Sequence, residues 1–226
     1  MLPSLTLLLS LVYLTSATFS GKVLITTGCC TGSDQISEII DLKDPSNSCQ
    51  NLPEFPENQD GASGDLINGK NPLICGGGLL QPDDTSKCYL LGKKARQNLN
   101  FDLLIFALDD DKVWKQVATL PGLKYRSEGV LFNENTLWIS GGAGDKKALK
   151  DSYLVSVDEN GLGSVQLGPE LPAEMDSHCV IKGDGIFFLI GGVGQSQKFF
   201  VYDQDDDEWR MGPDLNTQRV GHQCGF

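Results

Sequence analysis

The chain has 226 residues, 40% of them hydrophobic, so it can bury a core, and one domain is the default for an all-β chain of this length. Its formal net charge is −12 at pH 7 and its lysines and arginines are scattered, which argues against binding to nucleic-acid phosphates or anionic membrane surfaces. After the amino-terminal residues, no segment is long and apolar enough to cross a bilayer.

The amino-terminal residues have the pattern of a secretory signal peptide. Residues 5–14 are almost unbroken apolar sequence, and small residues follow at Thr15, Ser16 and Ala17. This pattern predicts cleavage after Ala17, which leaves residues 18–226 as the mature, secreted chain. The alternatives are a membrane anchor, for which the run is too short, and a buried first strand. All seven cysteines lie after Ala17, as expected for a protein in an oxidising, extracellular compartment.

Short runs rich in β-branched and aromatic residues, each bounded by turn residues, predict a series of antiparallel strands. In chain order these are residues 22–27, 38–42, 49–52, 63–67, 73–76, 129–132, 137–141, 153–158, 164–168, 178–182, 186–191, 199–203 and 208–211. Asn68-Gly69 predicts a tight hairpin turn, and two similar hairpins recur later in the chain. No amphipathic helix longer than two turns is visible, so the predicted fold class is all-β.

Glycines that end an apolar run mark an internal repeat. They are Gly28, the pair Gly76 and Gly77, the pair Gly141 and Gly142, and the pair Gly191 and Gly192. The first glycines are 48, 65 and 50 residues apart, which predicts a period near 50 and an insertion of about fifteen residues in the second repeat. Residues 88–91 and 103–109 compete for the third strand there. The spacing to Trp114 favours 103–109 and leaves 79–102 as a long excursion that carries Lys93, Lys94 and Arg96.

The clearest repeat places Tyr202 and then Trp209 after the pair at Gly191, and the sequence Arg219-x-x-His222 follows it. Units of four strands with these residues resemble the kelch repeat over residues 22–226. The resemblance implies a β-propeller with repeats at about residues 22–56, 61–123, 126–173 and 176–215, and a further strand or repeat at 219–226.

Kelch propellers usually have six or seven blades, and this chain supplies about four, entering its first repeat at the second strand. One interpretation is a four-bladed ring that residues 220–226 close by completing the amino-terminal blade. The other is part of a six- or seven-bladed ring, and the odd number of cysteines together with the end at Phe226 favours it.

The cysteines allow several disulfides. Cys75 and Cys88 are thirteen residues apart and form the favoured pair, which would close a loop within one repeat. Cys179 and Cys224 have like positions in neighbouring repeats and could bond if their strands lie close. Cys29 and Cys30 are adjacent, which is not a metal-site spacing, and Cys49 is a nearby partner for either.

His178 and His222 have similar repeat positions, and two such histidines resemble the copper ligands of enzymes like galactose oxidase. A copper site of that kind also needs tyrosine and cysteine partners, and no spacing in this sequence supplies them. We therefore interpret both histidines as part of the repeat and predict no catalytic residue, metal or cofactor. The primary hypothesis is a secreted, non-enzymatic interaction module with an unidentified protein partner and Lys93, Lys94 and Arg96 as candidate binding residues. The alternatives are a galactose-oxidase-like copper enzyme or other propeller enzyme, and a truncated or partial chain without independent function.

Overall fold

The computed structural model describes residues 15–19, 22–26, 35–41, 43, 50–57, 61–77, 86–93, 112–122, 124–144 and 147–225. Within these ranges the chain forms strands, turns and loops and contains no helix, which confirms the all-β prediction. The strands, in chain order, are β1 (Thr15–Phe19), β2 (Lys22–Thr26), β3 (Ser37–Asp41), β4 (Gln50–Asn51), β5 (Ser63–Ile67), β6 (Asn71–Cys75), β7 (Lys87–Lys93), β8 (Lys112–Thr119), β9 (Glu128–Asn133), β10 (Thr136–Ser140), β11 (Ala143–Gly144), β12 (Lys147–Ala148), β13 (Ser152–Val157), β14 (Gly163–Leu167), β15 (Cys179–Gly183), β16 (Ile186–Ile190), β17 (Phe199–Asp203) and β18 (Glu208–Met211).

These strands form four antiparallel sheets of four strands each and one two-stranded ribbon, β11–β12. Sheet 1 contains β1–β4, sheet 2 contains β5–β8, sheet 3 contains β9, β10, β13 and β14, and sheet 4 contains β15–β18. Strands within a sheet follow chain order from one edge to the other, because each is joined to the next as an antiparallel neighbour. The first strands β1, β5, β9 and β15 lie beside one another in a row, so successive sheets share a common inner edge.

Three hydrophobic clusters lie between successive sheets, so the sheets stack face to face. Alternate residues of a strand point to opposite faces. In β6, Ile74 packs in the cluster shared with sheet 1, and Leu73 packs in the cluster shared with sheet 3. In β10, Leu137 faces sheet 2 and Trp138 faces sheet 4. Each inner sheet is therefore buried on both faces.

The third strand of sheet 2 is β7, so the expectation that residues 103–109 supply it is wrong. β7 pairs with β6 on one side, with Cys88 opposite Cys75, and with β8 on the other. Both edges of β7 are therefore occupied, and residues 103–109 lie outside the described residues. The insertion follows β7, at residues 94–111, instead of occupying residues 79–102. The spacing to Trp114 misled the prediction, whereas the distance from the glycine pair indicated the correct strand.

Sheet 1 begins with β1, whereas the sequence predicted that the chain enters the first repeat at its second strand. β1 pairs along its whole length with β2, from Thr15 opposite Thr26 to Phe19 opposite Lys22. It spans the predicted cleavage point after Ala17, and cleavage there stays a prediction. At the other end, residues 220–225 were expected to start a further strand and contain none, and Phe226 lies outside the described residues.

Candidate functional site

Glycine pairs end the second strand of sheets 2, 3 and 4 with the same backbone geometry. The first glycine of each pair has φ between 53° and 69° and the second has φ between 91° and 94°. Residues with a Cβ rarely adopt these values, so glycine is required here. The pairs are Gly76 and Gly77, Gly141 and Gly142, and Gly191 and Gly192. Gly28, the predicted marker of the first repeat, lies outside the described residues.

Each pair receives the loop that follows its own sheet, and for sheets 2 and 3 this loop opens the next sheet. The backbone N–H of the second glycine donates to a carbonyl of that loop: Gly77 to Lys124 at 2.8 Å, Gly142 to Met175 at 3.0 Å and Gly192 to Arg219 at 2.9 Å. A Cβ on Gly141 would overlap the Met175 carbonyl oxygen, and a Cβ on Gly191 would overlap the Arg219 carbonyl oxygen. The pairs therefore do two things: they turn the chain out of one sheet and admit the backbone of the next.

A series of left-handed residues links the same loops. Gly61, Arg126, Ser177 and Gly221 have φ values of 66°, 55°, 51° and 62°. The N–H of Arg126 donates to the carbonyl of Gly61 at 3.3 Å, that of Ser177 to Arg126 at 3.0 Å, and that of Gly221 to Ser177 at 2.7 Å. Sequence reasoning missed this series, because arginine and serine carry no signal for a left-handed backbone. The loop after sheet 4 thus has the geometry of the loops that open sheets 2, 3 and 4.

His178 follows this loop geometry and lies against the first glycine of sheet 3. A Cβ on Gly141 would be 3.0 Å from His178 Cε1. The ring is fully buried, and its Nε2 lies 2.8 Å from Ser140 Oγ, which is also fully buried. Ser140 donates its own proton to the Glu128 carbonyl at 3.2 Å. His178 Nε2 therefore donates to Ser140, which is the reverse of a base that activates a serine nucleophile.

His222 occupies the equivalent position against the first glycine of sheet 4. A Cβ on Gly191 would be 2.8 Å from His222 Cε1. The residue before that glycine is Ile190 instead of a serine, and neither ring nitrogen of His222 has a hydrogen-bond partner among the described residues. Burial lowers the pKa of His222, and the nearby charge of Arg219 lowers it further. Burial likewise lowers the pKa of His178 to about 3, so both rings are neutral at neutral pH.

Lys124 is a charged residue buried in the same set of loops. Its side chain is fully buried, and Nζ donates to the carbonyls of Gly141 at 3.0 Å and Asp151 at 2.9 Å. The Asp151 carboxylate lies 3.4 Å from Nζ and accepts a hydrogen bond from the Tyr153 hydroxyl at 3.0 Å. Burial lowers the pKa of Lys124, and Asp151 partly offsets this effect. Burial also raises the pKa of the Tyr153 hydroxyl to about 12. Lys124, Asp151 and Tyr153 therefore have a structural role, in which they hold the loop before sheet 3 against that sheet.

Two disulfides lie in the described residues. Cys75 and Cys88, the pair that the sequence spacing favours, are directly opposite in β6 and β7 with Cα atoms 4.1 Å apart. Cys179, at the start of β15, is bonded to Cys224 in the loop after sheet 4, with Cα atoms 6.1 Å apart. The first disulfide is internal to sheet 2, and the second ties sheet 4 to the segment that follows it. Disulfides are typical of proteins in oxidising compartments.

The face of sheet 4 that points away from sheet 3 is apolar and only half-buried. All five residues of β6 and of β10 are buried, whereas β16 and β17 alternate between buried and half-buried positions. We call the half-buried side the outer face of sheet 4; its apolar residues are Ile181, Ile186, Phe188, Ile190, Phe199 and Val201. The rings of Phe188 and Phe199 stack on it with centroids 5.7 Å apart.

The structure describes the backbone of one of the three predicted binding residues, Lys93. Lys93 is the last residue of β7, and Lys94 and Arg96 lie just beyond it, outside the described residues. The register places Lys93 directly opposite Lys112, the first residue of β8. The 94–111 connection leaves sheet 2 at this pair.

Neither a metal cluster nor a membrane-spanning helix is found in the part of the chain that the structure describes. No group of three or more histidine, cysteine, aspartate or glutamate side chains within it could hold a metal ion. Within the same residues, no helix is long and apolar enough to span a bilayer. His178 and His222 are therefore not joined there by further ligands.

Comparison with known proteins identifies the architecture. No protein-family model matches the chain, and no curated protein matches it significantly. Among solved structures the chain is similar to that of YjhT, with a TM-score of 0.68 and 14% sequence identity over 92% of this chain and 67% of YjhT. YjhT has a β-propeller-like fold. This chain is propeller-like too. In this chain, four-stranded antiparallel sheets stack by their faces around a row of first strands, as the blades of a propeller do.

Proposed function

We propose that the protein is a secreted, non-enzymatic interaction module built on kelch repeats, whose stacked sheets form a rigid scaffold for partner-binding loops. The glycine pairs, the linked left-handed loops and the propeller-like fold support a repeat scaffold. The two disulfides support an extracellular setting. The polar groups that resemble catalytic chemistry, Ser140 with His178 and Lys124 with Asp151, hold strands and loops together inside the scaffold.

The run of basic residues that begins at the end of β7 is the observation that carries the proposal. Lys93 ends β7, and the register places it opposite Lys112, the first residue of β8. Lys94 and Arg96 add positive charge at the start of the longest connection between consecutive described strands, in a chain of net charge −12. Such a concentration fits a surface that binds an acidic protein partner, which would neutralise it.

A charge-reversal experiment tests the interaction. A photo-crosslinking residue placed at position 95 of the secreted protein is expected to capture the same partner in repeated preparations. Lys94→Glu combined with Arg96→Glu should reduce this yield about tenfold, because it replaces attraction by repulsion. Lys147→Glu, which alters an exposed lysine of the β11–β12 ribbon, is the matched control and should leave the yield unchanged. Equal capture by all three proteins would count against the proposal.

Metal analysis separates the proposal from the copper-enzyme alternative. The purified secreted protein is expected to contain no stoichiometric copper. One copper per chain that disappears in both His178→Ala and His222→Ala would overturn the non-enzymatic assignment.

A further inference from the structure

The two described disulfides differ in their surroundings. Cys75 and Cys88 are both fully buried inside sheet 2, between strands that are paired on either side. Cys179 is buried, but Cys224 is partly exposed. Reduction requires a thiolate to reach a disulfide sulfur, so a reductant in solution should reach the disulfide of the partly exposed Cys224 more readily than that of the fully buried Cys75 and Cys88.

Cys224 belongs to the segment that follows sheet 4. We call residues 212–225 the closing segment. Five backbone hydrogen bonds hold it: Gly212 N–H to Phe199, Leu215 N–H to Gln197, Arg219 N–H to Ser196, Gly192 N–H to Arg219 and Gly221 N–H to Ser177. The Gln197 side chain also donates to the Leu215 carbonyl, Lys198 pairs with Asp214, and the disulfide adds a covalent link. Most of its side chains are exposed, including Val220 at 51%. Segments with exposed hydrogen bonds and few buried apolar contacts open at low free energy, and the disulfide adds a covalent restraint to these hydrogen bonds.

The closing segment covers one end of the outer face of sheet 4. Gly212 lies against the Phe199 ring so closely that a Cβ there would overlap the ring. His222 and Arg219 lie in the same way against Gly191, the residue after Ile190. Ile190 and Phe199 are opposite each other in the register of β16 and β17. Movement of the segment would therefore expose the half of the outer face that lies nearest the glycine pair.

We propose that the Cys179–Cys224 disulfide is a redox-controlled latch that holds the closing segment over the outer face of sheet 4. A dithiol reductant opens it in two steps. One thiolate attacks Cys224 Sγ and forms a mixed disulfide while Cys179 leaves as a thiolate. The second thiol of the reductant then displaces Cys224, which leaves two protein thiols and a cyclic oxidised reductant. The freed segment exchanges its backbone hydrogen bonds for water and uncovers Ile190 and Phe199.

Limited reduction of the full chain tests the latch. The protein is treated with dithiothreitol without denaturant and quenched with iodoacetamide, and the alkylated cysteines are identified by peptide mapping. Cys179 and Cys224 are expected to be alkylated about tenfold faster than Cys75 and Cys88, because opening the closing segment does not require global unfolding. Alkylation of all four at one rate, or of Cys75 and Cys88 first, would overturn the proposal.

Hydrogen exchange on the same samples tests the consequence. Amide exchange is expected to rise in residues 212–225 and in the 192–197 loop after reduction, while β6 and β10 keep their protection. A Cys179→Ser and Cys224→Ser double variant should show this pattern without reductant. Selective alkylation with unchanged exchange in the closing segment would show that the disulfide does not hold it, and would refute the latch.

Discussion

Sheets 3 and 4 have the same strand order and the same glycine-pair geometry, yet they are buried differently. The second strand of sheet 3, β10, has the sequence Thr-Leu-Trp-Ile-Ser, and all five residues are buried. The second strand of sheet 4, β16, reads Ile-Phe-Phe-Leu-Ile and is the more apolar, yet only alternate residues are buried. Burial of a strand in this chain is thus decided by whether a further sheet packs on it, and not by its own hydrophobicity.

Trp138 and Phe188 provide the largest test of this difference, because they have the same position relative to the glycine pair. Trp138 is fully buried between sheets 3 and 4 and contacts Phe187, with ring centroids 4.9 Å apart. Trp138→Ala is expected to lower the free energy of unfolding by about 3–5 kcal/mol. Phe188→Ala removes a half-buried ring and should cost less than about 1.5 kcal/mol. Urea denaturation measures both, and equal losses would show that the outer face of sheet 4 is covered in solution.

The first glycines of the two sheets give the next largest contrast. Alanine at Gly141 is strained by the positive φ and meets the buried Met175 backbone, so we expect a loss of about 3 kcal/mol or more. Alanine at Gly191 meets the exposed Arg219, which can shift with the closing segment, so the loss should be about 1–2 kcal/mol. Gly69→Ala is the control for φ alone, since nothing lies within 4 Å of its Cβ position. If Gly141→Ala matches this control, the close packing is not rigid.

How much of this the sequence could predict depends on the range of each signal. Glycine pairs and hairpin turns are local signals, and they predicted most of the strands correctly. The third strand of sheet 2 required a choice between two apolar stretches, which pairing with β6 decides and spacing does not. The burial of Lys124 and the left-handed backbone of Arg126 come from contacts between successive sheets. No residue type marks such contacts, so they were missed.

A smaller effect on stability is expected at Ser140, where sheet 3 meets the loop that opens sheet 4. Its hydroxyl links His178 to the Glu128 carbonyl, so Ser140→Ala leaves a buried N–H without an acceptor. The expected loss in the free energy of unfolding is about 1–3 kcal/mol. At the equivalent position of sheet 4, Ile190→Ser would give His222 the same acceptor but would remove a half-buried apolar side chain. That exchange should change stability by less than about 1 kcal/mol, and thermal or urea unfolding of the two variants checks the difference.

The pH dependence of stability is the most gradual effect. Two buried groups, Glu128 at the start of β9 and His178 just before β15, change the stability with pH in opposite directions. Burial lowers the pKa of His178 from 6.5 to about 3, so the unfolded chain binds the extra proton and stability falls as the pH drops below 6.5. Burial raises the pKa of Glu128 from 4.5 to about 8, so the folded chain holds the extra proton and stability falls as the pH rises from 4.5 to 8. Between pH 4.5 and 6.5 the effects of His178 and Glu128 oppose each other.

Glu128→Gln isolates the alkaline half of this profile. Without the carboxyl, the decline above pH 6.5, at most about 1.4 kcal/mol per pH unit, should disappear, while the acid decline due to His178 stays. Glu134→Gln changes an exposed carboxyl in the β9–β10 turn and should leave the wild-type profile intact. Urea midpoints measured from pH 4 to 8.5 give the answer. If the urea midpoints of the wild type and of Glu128→Gln follow parallel pH profiles above pH 6.5, the Glu128 carboxyl is solvated. The inner edge of sheet 3 is then more open to water at Glu128 than at Ser140.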